Sequence, residues 1–288
     1  VEKGLVEVSD NAGYGARAVG MSDQYTIVTF MAVVGMLLAG MAFLLRKDSI
    51  RNAFDTLAKQ ESERERAHYR KYLSANVADF VASQPGAMSL GGSRRLATAM
   101  FVDIREFTPL TAHERPERVV EMLNLVFGEL VAIVFKHGGT LDKFLGDGIM
   151  VVFGVPQEQP DAPARAVAAA VEMVATIGRL DALSVRPDGE PLRIGVGIAH
   201  GVVIAGNVGS AQRMEYTCIG EAVNFAARLC GLCRELAQDV VVSDSVHDAV
   251  RASYSFREMP KIRVKGIAGE PTLWAVVGPA GPAGSKPA

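Results

Sequence analysis

The chain has 288 residues, a formal net charge of −2 and 49% hydrophobic residues. That length supports one or two domains with a real core, and the near-neutral balance argues against a general nucleic-acid binder, which carries a basic surplus. Three cysteines (Cys218, Cys230, Cys233) do not make a disulfide framework and suit a reducing compartment, and the scattered histidines show no zinc-site spacing.

The chain starts at Val1 instead of Met, which reads as the C-terminal part of a longer polypeptide. From Thr26 to Leu45 runs TIVTFMAVVGMLLAGMAFLL, uncharged and mostly apolar. A helix needs roughly 20 such residues to cross a ~30 Å hydrocarbon core. Residues 25–45 are therefore expected to form one transmembrane helix in contact with lipid, with 1–24 as an extracytoplasmic juxtamembrane segment. A buried core helix is the alternative. A cleaved signal peptide fits poorly, because the run is too long and lacks a basic leader. Arg46, Lys47 and Arg51 follow directly, which places the C-terminal portion in the cytoplasm, at the inner membrane. Gly35 and Ala39 offer a weak small-residue helix contact.

Residues 46–93 read as a helical linker. Ile50, Phe54 and Leu57 have the spacing of a short coiled-coil seam, which dissolves into the charged run QESERERAHYRK. A solvated helix explains that run equally well. Apolar spacing resumes at Tyr72, Leu73, Val77, Phe80 and Val81, and Gln84-Pro85-Gly86 ends it. SLGGS (89–93) reads as a loop, and a domain boundary is expected there.

LATAMFVDI (96–104) is a buried-strand pattern ending in an acid. Pro116 can open a helix that carries Val119, Met122, Leu123, Val126, Phe127, Leu130, Ile133 and Val134 at helical spacing, up to His137-Gly138-Gly139. TLDKFLGDGIMVVF (140–153) reads as a hairpin turning at Gly146-Asp147-Gly148. An alanine-rich helix is expected over 161–182, and strands over 192–199 (continued after Gly201), 216–219, 240–243, 262–265 and 272–277, with a helix over 221–236. The order is that of an α+β, ferredoxin-like βαββαβ fold over 94–277. The tail 278–288 is expected to be disordered.

Asp103 ends an apolar strand and Asp147 sits in a tight turn between two more. Read alone, they are either a cap and a turn former, or a pair of hard ligands suited to Mg²⁺ beside phosphates. IREFTPL follows Asp103, and backbone N–H groups after a strand can hold phosphate oxygens; no P-loop is present. Cys230 and Cys233 have CxxC spacing inside a helix, which reads as ordinary packing with redox sensing as the alternative.

FVDIREFT (101–108), KFLGDGIMVVFG (143–154), YTCIGEAVNFAARL (216–229) and VKG (264–266) resemble, in order and spacing, the catalytic domain of the class III adenylate/guanylate cyclase family. YRKYLSANVADFVAS (69–83) is similar to the segment leading into many bacterial members. The resemblance implies that Asp103 and Asp147, with the Ile104 carbonyl, bind two Mg²⁺ or Mn²⁺ ions per site. It implies that Lys143 and Thr217 select the purine, that Asn224 orients the ribose and Arg228 stabilises the transition state. It also implies that Lys265 binds the triphosphate, with Phe107, Thr108 and Arg213 as further substrate contacts. Lys with Thr points to ATP, so the expected function is an adenylate cyclase forming cyclic AMP and pyrophosphate. The alternatives are a guanylate cyclase and an inactive nucleotide-binding signalling dimer. Family members share each site between two subunits, so a homodimer is expected. A sensor upstream of Val1 and regulation by bicarbonate are further implications. Glu221 stands where the family often has Asp.

Overall fold

The computed structural model describes residues 90–112, 114–180, 191–210, 212–264, 267 and 269–280, with 29–33, 35, 36, 41, 77 and 80 from the preceding segments. The chain divides into two compact units, Val1–Arg66 and Ala67–Ala288. In the first, the described residues are helical, and Phe30, Met31, Val33, Met36 and Met41 are apolar and exposed. No helix among the described residues is long and apolar enough to cross a membrane. Most of the expected span 25–45, most of the linker 46–93, and the tail from 281 on lie outside the described residues.

The second unit runs β1 (Gly91–Ile104), α1 (Phe107–Thr111), α2 (Pro116–Lys136), β2 (Thr140–Leu145), β3 (Gly148–Phe153), α3 (Ala162–Ile177), β4 (Ile194–Ser210), β5 (Arg213–Ile219), α4 (Glu221–Glu235), β6 (Val240–Ser243), α5 (Asp244–Val250), β7 (Tyr254–Glu258) and β8 (Leu273–Pro279). The sheet order is β2-β3-β1-β4-β6-β8-β7, with β5 paired to β4. Its first four strands are the expected split βαβ arrangement: β3 lies antiparallel between β1 and β2, and β4 flanks β1 on the other side.

β3 and β6 are buried along their whole length because both of their faces are covered. Ile149, Val151 and Phe153 of β3 face α2 and α3, while Met150 and Val152 join the cluster that includes α4. Val240 and Val242 of β6 join the first cluster and Val241 the second, so period-two residues serve two cores. α2 begins where Pro116 supplies a first helical residue that needs no amide donor, and buries Met122, Val126, Leu130, Ile133 and Val134. Each such side chain contributes about 1.5–3 kcal/mol on full burial.

Four expectations change. The Gly/Ser stretch expected as a loop is strand from Gly91 onward, paired Gly91↔Asn207 and Gly92↔Gly206. A Cβ on Gly206 would stand 2.1 Å from the Gly91 carbonyl oxygen, so the glycines serve close strand approach. β4 passes through Gly201 without a break. Ile262–Val264 is not a strand, although it alternates like one, because β8 is already paired on both edges, by β6 and β7. The edge strand β7 and the short helices α1 and α5 each carry only two core-facing apolar residues, Tyr254 and Phe256, Phe107 and Leu110, and Val246 and Val250, too few to set a period, and the pattern gives no expectation of them.

Candidate active site

Asp103 lies one residue before the end of β1, opposite Gly148 of β3 and Gly195 of β4. Asp147 sits in the β2–β3 turn, which needs Gly146 at φ 69°. Gly148 must also be glycine: an added Cβ would lie 2.5 Å from the Val102 carbonyl oxygen and 3.1 Å from Asp103 Oδ1. The tight turn thus brings the two acids to one sheet end. They line a cleft of about 240 Å³ with Ile104, Glu106, Phe107, Thr108 and the α4 residue Gly231. Burial in this notch and the charge of Asp147 push the Asp103 carboxyl up to about 6. Two mutually repelling carboxylates open to solvent fit a hard divalent cation, which would relieve the repulsion. Phe107 and Thr108 open α1 after Glu106, which holds a left-handed φ of 58°.

Asn224 and Arg228 are exposed one turn apart on α4. They line a second cleft of about 610 Å³ with Glu235, Arg263 and Val264. Arg228 has no carboxylate partner among the described residues. Neither cleft holds both the acids and the Asn/Arg pair. Lys265 lies outside the described residues; its neighbour Val264 is buried at the second cleft.

Lys143 and Thr217 come together on a third patch. Lys143 Nζ donates to Glu215 Oε2 at 2.7 Å and stands 3.5 Å from Asp142 Oδ1. Burial works to lower the lysine's pKa, but the Glu215 hydrogen bond and the Asp142 charge outweigh it and hold it above the ordinary value. The Thr217 hydroxyl donates to Asp142, 2.8 Å from Oδ2 and 3.0 Å from Oδ1. Asp142 and Glu215 are site neighbours that the motif reading missed. Asp142 precedes Lys143 directly, but strict alternation along β2 would aim the two side chains to opposite faces. Arg213 sits at the tip of the β4–β5 hairpin, exposed and 3.4 Å from Glu215 Oε1, and lines neither cleft. On the same strand, Tyr216 packs against the ring of Phe80 at 5.7 Å.

Cys230 and Cys233 are buried and unpaired. Their thiols donate to the Gly195 and Val196 carbonyls. Burial drives both pKa values up, that of Cys233 to about 11, which disfavours the reactive thiolate. One further acidic group, Asp244, His247 and Asp248, gathers at α5. It lies toward the other end of the sheet, since Ser245 Oγ donates to the His200 carbonyl while Asp103 pairs with Gly195. Its groups are engaged: Trp274 Nε1 donates to Asp244, and the His247 ring stacks on Trp274 at 3.8 Å.

Residues 93–278 match the family model described as the adenylate and guanylate cyclase catalytic domain. An uncharacterized Mycobacterium tuberculosis protein, Rv1318c, is 36% identical over 208 residues, 71% of this chain and 37% of the relative. The chain thus spans little more than a third of that relative's length. The solved guanylyl cyclase Cya2 is 33% identical with a TM-score of 0.61, over 67% of this chain and 98% of its own. The adenylyl cyclase CyaB from P. aeruginosa is also 33% identical, with a TM-score of 0.60, over 65% and 96%.

Proposed function

The chain belongs to the adenylate and guanylate cyclase catalytic-domain family, and from that premise we propose that it is a membrane-anchored, homodimeric adenylate cyclase. It would close ATP to 3′,5′-cyclic AMP and release pyrophosphate. The observation that carries the choice of ATP is the meeting of Lys143 and Thr217 at one patch. Adenine offers N1 as an acceptor and its 6-amino group as a donor. The Lys143 ammonium has three donors, so it can keep a carboxylate partner and still donate to N1. The Thr217 oxygen can accept from the amino group. Guanine reverses both groups.

Asp103, Asp147 and the Ile104 carbonyl are the residues that would hold Mg²⁺ or Mn²⁺, two ions per site. Bound there, the metals would ease deprotonation of the 3′-hydroxyl and neutralise the leaving pyrophosphate. The Arg228 guanidinium would stabilise charge growing on the α-phosphate, and Asn224 would orient the ribose. Phe107 and Thr108 border the acid cleft and would contact the phosphates. Lys265 and Arg213 are assigned to the triphosphate.

The Asn/Arg pair and the acids occupy different clefts of one chain, which supports a two-fold dimer in which each subunit completes the other's site. Leu96, Val202, Ile204 and Ile219 support it further. They are paired across β1, β4 and β5 and form an exposed apolar strip of the kind that marks an interface. The membrane anchor rests on the apolar run 25–45, on its basic flank, and on the exposed apolar helical residues Phe30, Met31, Val33, Met36 and Met41. On this reading the catalytic domain is cytoplasmic, at the inner membrane, and a sensor belongs upstream. The equal likeness to Cya2 favours a guanylate cyclase as the second reading. The purified chain is to be given ATP and GTP with Mg²⁺ or Mn²⁺. Predominant cyclic AMP is expected. Predominant cyclic GMP overturns the adenylate reading, and no turnover of either overturns catalysis.

A further inference from the structure

Asp142 is the extra residue of a β-bulge. Leu141 pairs with Val151 and Lys143 with Met150, which leaves Asp142 without a partner across β3. A bulge re-aims one side chain out of the strand's alternation. Here it turns a carboxylate inward, where the side chain is 3% exposed. There the carboxylate accepts the Thr217 hydroxyl at 2.8 Å and the backbone N–H of Cys218, and faces Lys143 Nζ at 3.5 Å. Three donors converge on a group that, when ionised, has only acceptors. Burial pushes the Asp142 carboxyl above its ordinary value, against the pull of those donors.

We propose that Asp142 is a positioning residue for base selectivity: by taking the one proton of the Thr217 hydroxyl, it leaves that oxygen only lone pairs to offer the purine. Lone pairs attract the 6-amino group of adenine and repel the 6-carbonyl of guanine. An unrestrained threonine hydroxyl would rotate and serve either base. The bulge also sets Asp142 beside Lys143 at 3.5 Å, but the lysine's closer partner is Glu215 at 2.7 Å, so the action of Asp142 on selectivity runs through Thr217. This inference rests on the adenylate reading above.

The test offers ATP and GTP in competition to the full chain and counts cyclic AMP and cyclic GMP from one sample. The ratio is then independent of how much protein is folded. Asparagine keeps the shape of aspartate but has one acceptor oxygen. With the Cys218 N–H on that oxygen, the amide NH₂ donates to the Thr217 oxygen and turns the hydroxyl proton toward the base. Asp142→Asn is expected to lower the ATP-to-GTP ratio of kcat/KM by roughly tenfold. Asp142→Ala, which frees the hydroxyl without reversing it, lowers the ratio less. In a Thr217→Val background, Asp142→Asn is expected to change nothing further. A ratio unchanged in both Asp142 variants, or lowered equally without the Thr217 hydroxyl, overturns the proposal. So does loss of turnover with both nucleotides in both variants, which would make Asp142 a residue of the fold alone. The wild-type sample decides the adenylate reading separately: preference for GTP there overturns that reading and this inference together.

Discussion

Replacing Asp103 with asparagine should make the metal-free protein more stable and catalytically dead. The Asp103 carboxyl is raised from 3.8 to about 6 by burial and by Asp147. A shift of that size corresponds to about 3 kcal/mol. Asp103 is open to solvent, and screening reduces the usable part to about 1 kcal/mol. The sign follows from proton binding. Between about pH 4 and 6 the folded chain holds a proton that the unfolded chain has released, so wild-type stability falls as pH rises through that window. Asparagine carries no charge at any pH and escapes this loss. In EDTA above pH 6, Asp103→Asn should therefore raise Tm by about 2–4 °C, the shift that 1 kcal/mol makes in a domain of this size. The gain should vanish below pH 4, where the wild-type carboxyl is protonated. Thermal unfolding followed by circular dichroism from pH 4 to 8, beside a turnover assay, measures both effects. A lower Tm for the variant at pH 7.5, or full activity, would refute the reasoning that Asp103 is held for a cation at a cost to the fold.

Other changes report on other parts of the structure. Glu106 holds a left-handed φ of 58° at the entry to α1. Glu106→Gly should relieve about 1 kcal/mol of backbone strain and raise Tm by about 2–4 °C; a lower Tm would show that the Glu106 side chain matters more than its backbone. A Cβ on Gly197 would stand 2.1 Å from the Cys230 backbone nitrogen and 2.3 Å from the Ala226 carbonyl oxygen. Gly197→Ala should thus push α4 off the sheet, at a cost of about 1–3 kcal/mol or more, and displace Asn224 and Arg228 with it; wild-type kcat and Tm would contradict that packing. The buried, weakly acidic thiols of Cys218, Cys230 and Cys233 should resist a thiol reagent until the protein unfolds, and reductant should leave activity unchanged. Rapid labelling of native protein would count against it.

Much of the fold was legible because the sheet is buried on both faces over most of its strands. The run 148–153 is apolar throughout and 96–104 is apolar apart from Thr98 and Asp103, and Pro116 and His137-Gly138-Gly139 punctuate α2. The errors have local causes. Gly91 and Gly92 looked like a loop because sequence does not reveal that two strands cross closely there. Ile262–Val264 has strand alternation, but the sheet edge it would need is taken by Tyr254–Glu258. At the site, Asp103, Asp147, Asn224 and Arg228 were found by motif, and geometry then divided them between two clefts. Asp142 was invisible for a different reason: a bulge moves one side chain across the sheet without leaving a mark in the residue pattern.

That division between clefts is the core of the account, and mixing inactive variants tests it most directly. Asp103→Ala lacks the acid half-site and Arg228→Ala the arginine half-site, so each alone should be inactive. In a mixed dimer one of the two sites regains both halves. Equal mixing gives half mixed dimers by random pairing, so the sample should recover about a quarter of wild-type cyclic AMP formation. A mixture no more active than its two parents, once exchange of subunits is shown, would contradict a site shared between two copies of this chain.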